Sequence, residues 1–190
     1  MENEILDELH EEPKLQNFVY ATFWQRVGAS LLDGLILSPV NYGLIFLSMV
    51  YYKIFILSIF PTIISVFYKI YLEKQYGQTL GKLIVGIKVT GDNSEWTDYT
   101  QIIKRNYYHI IMLLFTVIKH VDLFKMESFL QADTYMQMIQ VQKVQAPMYI
   151  YLVYVLGTLF CIDCLLMIKN NQSKTLHDTW AKTVVVKIIR

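Results

Sequence analysis

The sequence predicts an all-α membrane protein: four transmembrane helices in a small bundle, with a short cytoplasmic β-ribbon pairing the loop after the second span with the C-terminus. Three observations predict it. Hydrophobic residues make up 54% of the 190 and charged residues 17%, against about 25% charged in soluble domains, and mean hydropathy is +0.35. Apolar runs recur at 27–52, 54–72, 107–118 and 148–168, and three of them reach the roughly 20 residues a helix needs to cross a bilayer. Two β-branched stretches, one from Ile84 onward and one at 183–188, would each leave open edges alone, and pairing removes both problems.

Taken in order, residues 1–21 form an acidic tail with Glu2, Glu4, Asp7, Glu8, Glu11 and Glu12. A cleavable signal peptide opens on basic residues, so the first span is expected to stay as an anchor. The transmembrane domain is expected over 22–186, followed by a short tail at 187–190. Span one carries Pro39 and Asn41 and span two carries Pro61; a proline frees a helix carbonyl and tends to kink the span. Tyr51, Tyr52, Tyr149, Tyr151 and Tyr154 fit aromatic belts near the outer interface. The third run reaches spanning length only if 101–106 enters at one end and 119–124 at the other, giving a span over about 101–121; a re-entrant segment is the rival.

Charge decides between them. Four spans from an inside N-terminus put thirteen of the seventeen Lys and Arg inside and leave only Lys53, Lys119, Lys125 and Lys143 outside, the bias expected of cytoplasmic loops. Dropping the third span would move the C-terminal basic group outside. Both termini and the loop after span two are therefore expected in the cytoplasm and the protein in the cell membrane. The mixed segment 122–145 is expected along the outer surface.

Ionisable groups inside spans cost about 2.5 to 3.5 kcal/mol each on insertion scales, so each needs a reason. Arg26 and Asp33 share one face of span one with Ser30 between them. By helical rise Asp33 lies about 10 Å inside span one and Asp163 about 9 Å inside span four. Arg105 enters span three from the same side, with His109 one turn deeper. Arg26, Asp33, Arg105, His109 and Asp163 thus fall in one slab of the inner leaflet. Either the aspartates pair with Arg26 or Arg105 as a structural polar core, or they form a cation or proton site.

The net charge of +1 argues against a nucleic-acid surface, which needs a dense basic patch. Cys161 and Cys164 form C-x-x-C late in an apolar span, where thiols pack as small hydrophobes. No Ser/His/Asp set, zinc-protease motif or phosphate loop is present, so no catalytic residue, metal or cofactor is expected and the protein is not expected to be an enzyme. His177-Asp178 lacks a second ligand or nucleophile; Asp178 is expected to bond backbone donors or a cytoplasmic arginine.

Three blocks in order, Phe23-Trp24-Gln25-Arg26 with Ala29-Ser30-Leu31-Leu32-Asp33, then Gly77-Gln78-Thr79-Leu80-Gly81-Lys82, then Thr175-Leu176-His177-Asp178-Thr179 with Ala181-Lys182-Thr183-Val184-Val185-Val186, resemble the RDD family of membrane proteins. The resemblance runs from about Phe23 to Val186. It implies a multi-pass fold, maps the family's arginine and two aspartates onto Arg26, Asp33 and Asp178, and matches Arg105 to the arginine that often opens the later span. Most members have no assigned activity, and sodium/proton exchange has been proposed for some. The acidic tail and the long segment between spans three and four depart from the compact family pattern. The resulting expectation is a structural or scaffolding membrane component, with a small cation or proton transporter as the alternative; its partners would be the bilayer, a second copy or another membrane protein.

Overall fold

The structure, a computed structural model, describes residues 19–92, 96–145, 147–169 and 173–188. Residues 1–18 of the acidic tail, Asn93 and Ser94 of the turn-like stretch and the last two residues lie outside the described residues. Helix α1 (Phe23–Phe46) starts where the Gln25 side chain accepts the Thr22 N–H at 3.0 Å, satisfying one orphan donor of the first turn. It continues through a π-helical turn, Leu47–Tyr52, and stops where Lys53 takes a left-handed φ of 46°. Helix α2 (Phe55–Tyr76) ends at Gly77, φ 69°, whose N–H returns to the Glu73 carbonyl; glycine bears this conformation without steric cost.

The third span departs from expectation in how it gains its length. Residues 99–105 form a separate helix, α4 (Tyr99–Arg105), because Asn106 leaves helical geometry at φ −95°, ψ 15°. Its side chain donates to the Ile102 carbonyl at 3.0 Å, a local bond that competes with helix continuation. Helix α5 (Tyr107–Lys125) instead extends at its far end and reaches 19 residues. Helix α8 (Pro147–Leu166) is the fourth long apolar helix. Leu35, Ile56, Phe67, Leu114 and Tyr154 all point outward, the right polarity for lipid: this is a multi-pass membrane protein.

Helix α1 packs on α2, α2 on α5, and α5 more lightly on α8, while α1 and α8 make almost no contact. The bundle is open along that side. At one end, α6 (Glu127–Leu130) and α7 (Tyr135–Gln145) gather Phe129, Ala132 and Met138 with Met49 and Leu123 into a small buried cluster, so part of 122–145 packs onto the helix ends.

At the other end sit two short helix–strand units. Ile84 and Val85, expected in a strand, form the last turn of α3 (Leu80–Val85); β1 follows over Ile87–Gly91. Helix α9 (Leu176–Ala181) is likewise followed by β2 (Thr183–Lys187), and the strands pair antiparallel with Val89 opposite Val185. Residues 19–21 extend the ribbon as a third edge, with Ala21 N–H on the Val185 carbonyl and Lys187 N–H on the Val19 carbonyl, which covers an otherwise open edge.

The two units are structural repeats. Left-handed residues Gly77 and Ser173, N-caps Thr79 and Thr175, six-residue helices, left-handed Gly86 and Lys182, and five-residue strands follow in the same order at the same spacing. Under that alignment Val89 is equivalent to Val185, and Ile87↔Lys187 maps onto Thr183↔Gly91, so the ribbon has a local two-fold through its central valine pair. Ala21, Ala29, Ile87, Val89, Ile102 and Val185 form the buried core beneath it.

Candidate functional site

The site is built where these two units meet the long helices. Asp33 of α1, 7% exposed, caps the first unit: its carboxylate accepts the Gly81 N–H at 2.8 Å, the Tyr68 hydroxyl at 2.9 Å and the Thr79 hydroxyl at 2.6 Å. Tyr68 Oη in turn accepts the Leu80 N–H. A carboxylate at a helix N-terminus satisfies orphan donors and favours the helix dipole. Glycine is required at 81 because a Cβ would fall onto the Ala29 carbonyl of α1 and 2.9 Å from Asp33. At Gly77 a Cβ would lie 2.9 Å from the Val89 carbonyl, on a left-handed backbone. The glycine spacing of this stretch therefore serves close backbone approach.

Asp163 of α8 does for the second unit what Asp33 does for the first. It accepts the Leu176 N–H at 2.6 Å and the His177 Nδ1–H at 2.5 Å. The two aspartates thus play matching parts, each capping one of two equivalent short helices.

Among the described residues neither aspartate pairs with an arginine, which corrects the expected Asp33 and Asp163 pairings. Both arginines converge on Asp178, which is fully buried. Arg26 Nη1 donates to one of its oxygens and Arg105 Nη1 to the other; Arg26 Nη2 reaches the Ser173 carbonyl at 2.6 Å and Arg105 the Thr183 hydroxyl at 3.1 Å. Asp178 also closes a capping box with Thr175. Burial opposes ionisation of Asp178, but Arg105 and Arg26 outweigh it and hold the carboxyl well below the usual carboxylate range. Asp178 meets both kinds of partner the sequence suggested, and the arginines fix α1 and α4 to the C-terminal unit.

A fourth buried carboxylate, not expected from the sequence, is Glu73 of α2, 1% exposed. It accepts Lys82 Nζ and, at 2.9 Å, Asn106 Nδ2, with Arg105 Nε at 3.6 Å. Burial lowers the Lys82 amine to about 8, against the pull of Glu73. The available signal was that Lys69 and Glu73 stand one turn apart near the end of span two.

Lys69 lies beside this network without a carboxylate of its own within ion-pair range among the described residues. Its Nζ is 2.8 Å from His109 Nε2, while His109 Nδ1 and Arg26 Nε are buried with no hydrogen-bond partner among the described residues. A cavity of about 480 Å³ opens here, walled by α1 and α8 and lined by Arg26, Asp33, Lys69, Glu73, Arg105 and His109, among others. Cys161 and Cys164 are free thiols on its α8 wall. Of the five residues expected in one slab, Arg26, Asp33, Arg105 and His109 line this cavity; Asp163 does not, and touches its lining through His177. His177 also lines the cavity, whereas Gly77, Gly81 and Asp178 are not among its lining residues.

Compared with known proteins, the chain matches the model of the RDD family over residues 20–182. No curated protein and no solved structure matches it.

Proposed function

We propose that this chain, which belongs to the RDD family, is a scaffolding component of the cell membrane with both termini in the cytoplasm. Its charged cluster then serves as the clamp that holds a cytoplasmic platform on the four spans. One observation carries the reading: the buried carboxylates Asp33, Glu73, Asp163 and Asp178 all direct their oxygens at protein donors. A resident cation needs acceptor lone pairs, and these are engaged in tying chain segments together. The clamp joins α1, α2, α4 and α8 to the two helix–strand units, and every tie is charge-assisted or caps a helix. The protein works without catalysis, through a second copy or a membrane-protein partner docked on the acidic tail or on α6 and α7.

A specific observation supports the transport alternative. A second cavity of about 690 Å³ between α1 and α2, lined by Ser38, Asn41, Thr62 and Ser65, shares Ser30 and Leu31 with the first. A polar route of that kind is what proton or sodium exchange needs. Cation-dependent proton flux in proteoliposomes, run beside affinity capture of membrane partners, tests both. The scaffold reading expects a specific partner and no flux above protein-free liposomes; flux lost in Lys69→Met and His109→Leu would replace it with the exchanger.

A further inference from the structure

We infer that the cavity between α1 and α8 is a binding site for the phosphate of an anionic phospholipid, which enters sideways from the bilayer and is read by Lys69, His109 and Arg26. The inference goes beyond the scaffold reading and stands independently of it.

The donor balance comes first. Asp33 and Glu73, the carboxylates that line the cavity, are engaged by Tyr68, Thr79, Gly81, Lys82 and Asn106. Donors remain in excess. Lys69 carries three N–H bonds and has His109 as its polar neighbour, and the ring Nδ1 of His109 and Nε of Arg26 have no acceptor among the described residues. A buried cluster with unused donors and engaged acceptors is complementary to a ligand rich in acceptor oxygens, and phosphate is such a group.

The shape names the source of that phosphate. Helices α1 and α8 barely touch, and the cavity lies between them, with exposed Leu31 and Cys161 at its edges and Phe23, Val27, Phe160 and Met167 on its walls. A free anion gains nothing from an apolar side entrance, whereas the acyl chains of a bilayer lipid occupy it without leaving an apolar medium, by van der Waals packing.

Depth agrees. All three tryptophans, Trp24, Trp96 and Trp180, are exposed around the ribbon end, beside exposed Leu83, Ile84, Tyr99 and Leu176 on the short helices. Indole rings settle at the head-group level, so the cavity mouth lies where lipid phosphates are found.

The test is native mass spectrometry and thermal unfolding of the full chain with dioleoyl phosphatidylglycerol, with dioleoyl phosphatidylcholine, and with inorganic phosphate. One phosphatidylglycerol per chain should be retained with an upward shift of the unfolding midpoint. Lys69→Met should reduce retention about tenfold, as expected for loss of one charge-assisted hydrogen bond, whereas Lys119→Met, outside the cavity, should leave it unchanged. Cys161→Trp, which narrows the side entrance and leaves every charged group in place, should exclude the lipid while the protein remains folded; this keeps the test decisive if Lys69→Met folds poorly. Equal retention of both lipids, retention unchanged in Cys161→Trp, or stabilisation by inorganic phosphate matching that by phosphatidylglycerol would overturn the proposal.

Discussion

Val89 of β1 and Val185 of β2 face each other at the centre of the ribbon and hold equivalent positions in two helix–strand units. Two segments far apart in the chain are thus folded alike and joined on their own two-fold. Internal repeats are a recurring membrane architecture; here the repeated part is the pair of units at one end of the bundle.

That relationship is directly testable. Facing residues of an antiparallel pair have Cα atoms about 4.5 to 5.5 Å apart, within disulfide reach. Val89→Cys with Val185→Cys should cross-link under mild oxidation, and Val89→Cys with Thr183→Cys should not. The readout is a mobility shift on a non-reducing gel, and the reverse pattern would mean a shifted register.

The carboxylates should respond unequally to loss of charge. Asp178→Asn leaves Arg26 and Arg105 without their shared anion, and removing one side of a buried ion pair costs about 3 to 5 kcal/mol. Asp33 has neutral partners, so Asp33→Asn keeps most of its bonds and should cost about 1 kcal/mol. Thermal midpoints in detergent would compare them. A loss at Asp33 equal to that at Asp178 would mean that Asp33 faces a cation.

Acid should act through Asp178. Its folded pKa lies below its ordinary value of 3.8, so the stability it supplies is fully present above that value and drains away as pH falls through the folded pKa. The unfolding midpoint should drop below about pH 4, and Asp178→Asn should flatten that limb. Lys82 is lowered from 10.5 to about 8; between those two values the unfolded chain binds the extra proton, so its contribution to stability rises with pH. Lys82→Met should remove that alkaline rise.

Glycines should sort by the space around them. Gly81→Ala drives a methyl group into the Ala29 carbonyl and Asp33, and overpacking of this kind costs about 1 to 3 kcal/mol or more. Gly28→Ala and Gly34→Ala meet nothing within 4 Å and should be neutral or stabilising by up to about 1 kcal/mol through helix propensity. Detergent melting of the three variants checks the order.

Topology follows from the thirteen-to-four basic bias. In sealed cells an impermeant thiol reagent should miss cysteines placed at Lys82 and Lys182 and reach one at Lys143. Labelling at 182 would reverse the proposed orientation.

The sequence by itself determined the four apolar helices, the ribbon and the family, because hydropathy and β-branched patterning are local properties and the three motif blocks keep their order. It also led to the expectation that Arg26, Asp33, Arg105, His109 and Asp163 lie at one level, since helical rise converts position into depth. Helix rotation is not encoded in depth, so only the tertiary structure decided the partners: Asp33 and Asp163 to helix N-termini, both arginines to Asp178, and Lys82 to Glu73. Glu73 was not expected there because a carboxylate just past the apolar run 54–72, three residues from the end of α2, looks solvated until the short helices fold over it. The repeat was hidden for a related reason. The units share Thr79-Leu80 with Thr175-Leu176 and Val89 with Val185 but little else, because left-handed turns, caps and strand pairing are set by backbone geometry that many side chains satisfy.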